Sequence, residues 1–224
     1  PAHDYLHAVR VLKFAENFPD IGQDIDVLRA AAVFHDLITS PKGGSSPEEE
    51  TKQTILYIEK LLNELDFSRE KFERVSQAII QSSAHAVFTK GDSPENKEAF
   101  ILYTADKLDQ SGVTAIMRYF ASGGHRNRSF YKPADPVNKT GRKLEDSEYE
   151  YTVDALLFRM KKIQENMWYK AAKQTIEARN RFFFHDFISE LEQEIEEQKN
   201  NPIAPWLERG GVATGMRVFD EAGR

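Results

Sequence analysis

Apolar residues recur every three or four positions through most of the chain, which is the periodicity of helices with one buried face. Clusters of proline, glycine and serine separate these stretches and predict where each helix ends. No stretch shows the strict alternation of apolar and polar residues that is typical of a half-buried strand. The pattern therefore predicts an all-α fold, with helices over residues 5–18, 26–34, 46–65, 68–85 and 98–120.

The second half of the chain is less regular. From Ala121 to Lys143 the periodicity is lost, and glycine, proline and basic residues predict a long loop. Helical spacing returns over residues 148–198 and predicts two further helices. The predicted organisation is one compact domain, with a helical core over 1–120, a basic loop over 121–147, C-terminal helices over 148–199 and an irregular tail over 200–224.

Composition narrows the available chemistry. None of the 224 residues is cysteine, which excludes disulfides and thiolate sites, so any metal must be held by nitrogen and oxygen. A net charge of −6 argues against a general nucleic-acid binder, and no apolar run approaches the ~20 residues that span a bilayer. With no signal-peptide pattern, we expect a soluble cytoplasmic protein, monomeric or homodimeric, without membrane contact or a stable nucleic-acid complex. Because Pro1 replaces an initiator Met, we also expect residues upstream of it.

The dipeptide His-Asp occurs three times, at His3-Asp4, His35-Asp36 and His185-Asp186. Only the second follows an apolar run, over residues 28–34, that has the character of a buried helix. Burying this polar pair is costly unless a metal or hydrogen bonds satisfy it. The third copy follows an aromatic run on a late helix and has no matching partners, which favours a surface pair.

Two further positions complete a nitrogen and oxygen ligand set. His3 and His7 share one face of the first helix, since they are four residues apart, and either imidazole could point at His35. Asp106 lies inside an apolar helix, where it is either a ligand or an ion-paired surface residue. A site with room left for water and a substrate oxygen, suited to Mn²⁺, Fe²⁺, Mg²⁺ or Zn²⁺, would combine His7, His35, Asp36 and Asp106.

Three segments surround these residues: His-Asp-Tyr-Leu-His-Ala-Val-Arg-Val over 3–11, Ala-Ala-Val-Phe-His-Asp over 31–36 and Ala-Asp-Lys-Leu-Asp over 105–109. In this order they resemble the HD-domain superfamily of metal-dependent phosphohydrolases. Residues 118–123 and the helices after them resemble the bacterial branch typified by YedJ and YpgQ. Up to about residue 198, the resemblance implies an HD-domain fold with additional C-terminal helices, a divalent metal, and hydrolysis of phosphate esters or nucleotides.

The resemblance also implies roles for individual residues. His7, which precedes x-x-Arg-Val, takes the position of the first metal histidine, with His35, Asp36 and Asp106 as the other ligands and Mn²⁺ as the first choice of metal. His3 then lies at the rim, in contact with a ligand or the substrate. Some relatives with two metals have further histidines between the His-Asp pair and the last aspartate. Here His85 is the only histidine between Asp36 and Asp106, which favours one metal over two. It is either a substrate contact or a simple helix-end residue.

Some relatives have a glutamate three residues beyond the His-Asp pair that acts as an acid or base, and here that position is Thr39. In the remaining scheme, the metal lowers the pKa of a bound water while Asp36 or Asp106 both ligates and accepts the proton. Asp109 or Glu48 could accept that proton instead.

Basic residues favour an anionic substrate. Residues 118–143 contain seven Lys or Arg against a single acid, Asp135. The best candidates to hold a phosphate are Arg126, Arg128 and Lys132 of this segment, together with Lys107. A solvated loop would have the same composition.

The leading interpretation is a metal-dependent phosphohydrolase of a nucleotide or another small phosphorylated metabolite. A hydrolase of guanosine alarmones or cyclic nucleotides would use the same ligand order. From another class, a helical scaffold could keep a structural metal or bind a nucleotide without turnover, an alternative motivated by Thr39 and the acidic residues 190–197. Open metal positions that hold water would favour the enzyme, and a fully enclosed metal the scaffold.

Overall fold

The computed structural model describes residues 5–38, 46–144 and 150–200. Within this part the structure is helical, apart from turns and one isolated parallel bridge between Ser129 and Tyr151, so the all-α prediction is confirmed. The helices are α1 (Tyr5–Glu16), α2 (Ile25–Phe34), α3 (Pro47–Glu64), α4 (Arg69–Ser82), α5 (Ala84–Lys90), α6 (Lys97–Asp109), α7 (Gly112–His125), α8 (Thr152–Glu165), α9 (Lys170–Arg181) and α10 (Ile188–Asn200), with a π-helical segment over Phe182–Phe187.

The chain divides into two compact units, residues 1–183 and 184–224. The first contains α1 to α9, and the described part of the second contains α10. Both side chains of His185-Asp186 are exposed in the π-helical segment, as expected for a surface pair. None of the helices that the structure describes combines the length and apolar character needed to cross a membrane.

Helix starts follow the capping residues. Ser46 and Ser68 cap α3 and α4 as predicted, because each hydroxyl accepts a hydrogen bond from a backbone N–H of the first turn. The cap of α2 is Asp24 rather than the predicted Asp26, since Asp24 Oδ1 accepts from the backbone N–H groups of Asp26 and Val27 at 3.0 and 3.3 Å. Asp26 lies in the first turn, where a carboxylate interacts favourably with the helix dipole.

The single helix predicted over residues 98–120 is wrong, because two helices, α6 and α7, occupy this stretch. The break lies at Gly112, whose φ of +67° favours glycine and where a Cβ would lie 2.9 Å from Arg179 Cβ. The Ser111 hydroxyl donates to the Leu108 carbonyl at 2.7 Å and so satisfies one carbonyl at the end of α6. Helix α7 then continues past residue 120 into the stretch that was predicted to be loop.

Helix α6 is the centre of the first unit. It packs against α1, α2 and α4 in one apolar cluster, and against α5, α8 and α9 in a second cluster that includes Tyr103 and Ile176. Residues 101–107 are buried on every side of the helix, which explains why α6 lacks a polar face in its sequence. Asp106 is therefore a carboxylate held between two cores.

Candidate metal centre and cleft

Four polar side chains from three parts of the fold meet at one point. His7 lies on α1, His35 and Asp36 follow the end of α2, and Asp106 lies on α6. One ligand atom from each of the four lies within 4.8 Å of the others, and no second cluster of this kind occurs within residues 5–38, 46–144 and 150–200. The structure thus brings together the four residues that the sequence singled out.

The atoms that face one another are ring nitrogens and carboxylate oxygens. His7 Nε2 lies 3.2 Å from Asp36 Oδ2 and 3.4 Å from Asp106 Oδ1. His35 Nε2 lies 3.4 and 3.7 Å from the same two oxygens. Among the described residues, His35 Nε2 is buried and makes no hydrogen bond, which is costly for a polar atom. A divalent cation would satisfy it, so the residues present fit a metal.

The orientation of His35 follows from its place at the end of a helix. His35 is the C-cap residue of α2, and its Nδ1 lies 2.9 Å from the carbonyl oxygen of Ala32 in the last turn. Because a carbonyl only accepts, this contact places the ring proton on Nδ1. In the neutral ring, the lone pair is then on Nε2, which faces the two carboxylates.

The electrostatics of the cluster are those of a cation site. Burial alone would lower the pKa of His35, but the carboxylates of Asp36 and Asp106 raise it to about 9. Burial would also lower the pKa of His7, yet hydrogen bonds to Asp109 and Asp36 raise it. The carboxylates around both imidazoles create a negative potential there, which a divalent cation would neutralise.

Asp106 has two neighbours on its own helix. Lys107 Nζ donates to Asp106 Oδ2 at 2.5 Å, and Gln110 Nε2 lies 2.6 and 2.7 Å from the two carboxylate oxygens. Burial would raise the pKa of Asp106, but the Lys107 ammonium and the nearby His35 imidazole hold it well below its usual range. Lys107, expected to contact substrate, is thus first an ion-pair partner of Asp106. Gln110 was missed, although its spacing of four residues from Asp106 places it on the same face.

Asp109 lies behind His7. Its Oδ2 lies 2.8 Å from His7 Nδ1 and accepts from Arg118 Nη1 at 2.8 Å, while Arg10 Nε donates to Oδ1 at 2.5 Å. Burial would raise the pKa of Asp109, but hydrogen bonds from His7 and Arg10 lower it to about 2. Asp109 does not line the cleft described below, so it is poorly placed to accept a proton from water. Arg10 and Arg118 were missed as its partners, because Arg10 is 99 residues away in the sequence and Arg118 lies on the next helix, α7.

A cleft of about 860 Å³ opens onto His35, Asp36 and Asp106. Its walls include Phe88, Tyr119 and Phe158, and six cationic side chains: Lys107, Arg118, Arg126, Arg128, Arg159 and Lys162. The guanidinium carbon of Arg159 lies 5.4 Å from the centre of the Phe88 ring, and Lys162 Nζ lies 5.8 Å from that of Phe158. Positive charge and flat apolar surface are therefore combined on one wall.

The predicted substrate contacts fall into three groups. Lys107, His85, Arg126 and Arg128 line the cleft, and His85 Nε2 lies 2.5 Å from Glu48 Oε1, so Glu48 is paired with a histidine. Lys132 does not line the cleft. His3, like Thr39, lies outside the described residues. Arg159 and Lys162 were missed because they lie on the amphipathic helix α8, where cations normally face solvent.

Part of the basic segment makes structural contacts instead of lining the cleft. Arg142 donates to Asp135 at 3.0 Å and to the two carboxylate oxygens of Asp154, on α8, at 3.0 and 3.1 Å. Nearby, the Thr152 N–H donates to the Ser129 carbonyl at 2.9 Å. Arg142 therefore fastens the segment to the start of α8 and is not a cleft residue.

Comparison with known proteins finds a matching domain model and several solved structures with the same fold. The family model of the HD domain matches residues 4–111. The fold is shared with a Lactobacillus plantarum protein (19% identity, 86% of this chain and 87% of that chain, TM-score 0.64), with Bacillus subtilis YpgQ (22%, 87% and 90%, 0.59) and with an HD-superfamily hydrolase from Bacillus thuringiensis (26%, 86% and 86%, 0.57). YpgQ has also been solved in complex with ADP. No curated protein matches the sequence.

These matches concern the domain model and the fold. The HD-domain model matches just under half of the chain, and the fold is that of solved structures that include YpgQ and an HD-superfamily hydrolase. The structural likeness covers 86–87% of the chain, so it extends beyond the matched domain. The His and Asp cluster lies within the matched residues and suits a divalent metal ion.

Proposed function

We propose that this protein is a metal-dependent phosphohydrolase that acts on a nucleotide or another small phosphorylated metabolite. The observation that carries the proposal is a nitrogen and oxygen ligand cluster at a cleft with six cationic side chains. The cluster suits a hard divalent cation, and the cations suit phosphate oxygens. The ADP complex of YpgQ, which has the same fold, supports a nucleotide as the first substrate class to test.

The four residues of the cluster would hold the metal, with Mn²⁺ as our first choice ahead of Mg²⁺, Fe²⁺ or Zn²⁺. When bound, the metal would supply Lewis acidity and lower the pKa of a water. The ligand atoms would be Nε2 of His7 and His35, whose Nδ1 atoms face Asp109 and the Ala32 carbonyl.

Asp36 is the better of the two aspartates to accept a proton. Its side chain is 30% exposed, whereas that of Asp106 is 9% exposed. Asp106 also receives hydrogen bonds from Lys107 and Gln110, and its lowered pKa makes it a weak base. We therefore assign proton acceptance to Asp36, and metal binding alone to Asp106.

The cleft supports an enzyme over a scaffold with a structural metal. His35, Asp36 and Asp106 all line it, so a small molecule could reach the cluster from that side. A structural metal site is normally closed by protein ligands. The aromatic rings of Phe88, Tyr119 and Phe158 offer surfaces on which a nucleobase could stack.

The test is a substrate panel with Mn²⁺-loaded protein: nucleoside mono-, di- and triphosphates, cyclic nucleotides and guanosine alarmones, with release of phosphate, pyrophosphate or nucleotide measured. We expect hydrolysis of at least one member, and loss of that activity in the variant Asp36→Ala. Asp186→Ala, which removes an exposed aspartate from an identical dipeptide, is the matched control and should retain activity. A metal-loaded wild type that binds nucleotides but hydrolyses none would favour the scaffold.

A further inference from the structure

We infer that Asp109 is a positioning residue that keeps the ring proton of His7 on Nδ1 and so leaves Nε2 available for a metal. The inference rests on the metal site of the proposed function and assigns Asp109 no part in proton transfer with the substrate. It is carried by the contacts around one ring nitrogen of His7.

Two groups of opposite hydrogen-bonding character face His7 Nδ1. Asp109 Oδ2, at 2.8 Å, can only accept when ionised, whereas Arg118 Nη1, at 3.0 Å, can only donate. If the proton is on Nδ1, the ring donates to Asp109 and Nε2 has the lone pair. If the proton is on Nε2, the ring accepts from Arg118 and Nε2 cannot bind a metal.

Asp109 resolves this competition in favour of metal binding. Its Oδ2 also accepts from Arg118 Nη1 at 2.8 Å, so the arginine has an acceptor while the imidazole proton points at the carboxylate. Arg10 donates to Asp109 Oδ1 and Oδ2 at 2.5 and 3.1 Å, which fixes the plane of the carboxylate. Since Asp109 is only 4% exposed, water competes little for these bonds.

One helix thus supplies both a ligand and the group that orients another ligand. Asp106 and Asp109 are three residues apart on α6 and lie on neighbouring faces, with His7 in contact with both carboxylates. Because α6 is buried between two cores, neither carboxylate can move without disturbing the packing.

The central experiment is the isosteric variant Asp109→Asn, with Mn²⁺ and Zn²⁺ binding measured by calorimetry. The amide removes the carboxylate charge, and we expect metal affinity to fall about 10- to 100-fold, as for other groups that orient a metal-bound histidine. The double variant Asp109→Asn with Arg118→Met should regain part of the affinity, because it also removes the competing donor.

Asp154→Asn is the matched control. Asp154 is also 4% exposed and also paired with an arginine, Arg142. This pair attaches the basic segment to α8 and has no contact with the cluster that the structure describes. We expect its metal affinity to equal that of the wild type. If Asp154→Asn lost as much metal affinity as Asp109→Asn, the loss would follow from breaking any buried ion pair, and the inference would be overturned.

A second measurement uses the wild type and is independent of how the variants fold. In Zn²⁺-loaded protein with ¹⁵N-labelled histidine, NMR should show the His7 proton on Nδ1 and the metal on Nε2. A proton on Nε2, or an Asp109→Asn affinity within about twofold of wild type, would overturn the inference. A wild type with the expected metal affinities but no hydrolysis would contradict the proposed function alone.

Discussion

The His and Asp cluster and the basic segment of residues 118–143 both bring charged side chains together, but the sequence predicts the role of the cluster better than that of the segment. The cluster residues lie on or at the end of helices that are apolar around them, and His7 and Asp106 are almost fully buried. In the basic segment, cations are frequent and mostly half-exposed or exposed. A polar residue in an apolar stretch is informative because its burial needs a partner, whereas a surface charge needs none.

The same pairing occurs in both regions with different consequences. Arg10 pairs with Asp109, and Arg142 pairs with Asp154, each through two hydrogen bonds. The first carboxylate also contacts an imidazole of the cluster, so its effect extends to the candidate metal site. The second attaches a loop to a helix. The contact of Asp109 with His7, rather than its pairing with an arginine, is therefore what connects this carboxylate to the candidate metal site.

The largest expected effect comes from the centre of the cluster. Asp106→Ala should bring bound metal to background and abolish hydrolysis, because it removes a ligand and leaves Lys107 buried without its ion-pair partner. Metal content by mass spectrometry and activity on the best substrate of the panel are the measurements. Full metal content with full activity would refute the site. His185→Ala, at an exposed histidine, is the control for loss of an imidazole.

In the basic segment, Arg126→Gln should raise KM about 10- to 100-fold at similar kcat, since a hydrogen bond to a charged group contributes about 1.5–3 kcal/mol. Arg126 lines the cleft, whereas Lys132, six residues later, does not. Lys132→Gln removes the same charge and should change KM less than twofold. Equal KM values for the two variants would mean that net charge, rather than position in the cleft, determines binding.

Arg142→Gln tests the structural half of the same segment. We expect a lower Tm and faster amide exchange at Thr152 and Val153, whose N–H groups donate to loop carbonyls, with metal affinity unchanged. Lys132→Gln removes a positive charge from the same segment without removing the contacts to Asp154, and should leave Tm and exchange unaltered. A weaker metal affinity in Arg142→Gln would contradict the separation of the two regions.

The last prediction concerns the pH dependence of metal binding. With the pKa of His35 raised to about 9 in the metal-free protein, its imidazole is protonated at pH 7 and must release that proton to bind metal. Metal affinity of the wild type should therefore rise between pH 7 and 9 by up to about tenfold per unit and level off above pH 9. Calorimetric titrations at several pH values check this, and an affinity independent of pH below 9 would contradict it.

Much of the helical framework could be predicted, because apolar periodicity and capping serines are local signals. The break between α6 and α7 was missed, since Gly112 lies in a stretch whose apolar periodicity continues across it, and its close approach to Arg179 is a tertiary contact. The cap of α2 was misplaced by two residues because Asp24 and Asp26 are equally good capping residues.

For the site, the apolar surroundings of His35-Asp36 and Asp106 brought these residues into one hypothesis, while the resemblance to the HD-domain superfamily was needed to choose His7 over His3. The tertiary structure decided which charges act together. It placed Asp109 behind His7, directed Arg142 to Asp154, and added Arg159 and Lys162 from α8 to the cleft. The physical reason is that the role of a charged side chain depends on the atoms within a few ångströms of it, and those belong to residues far away in the sequence.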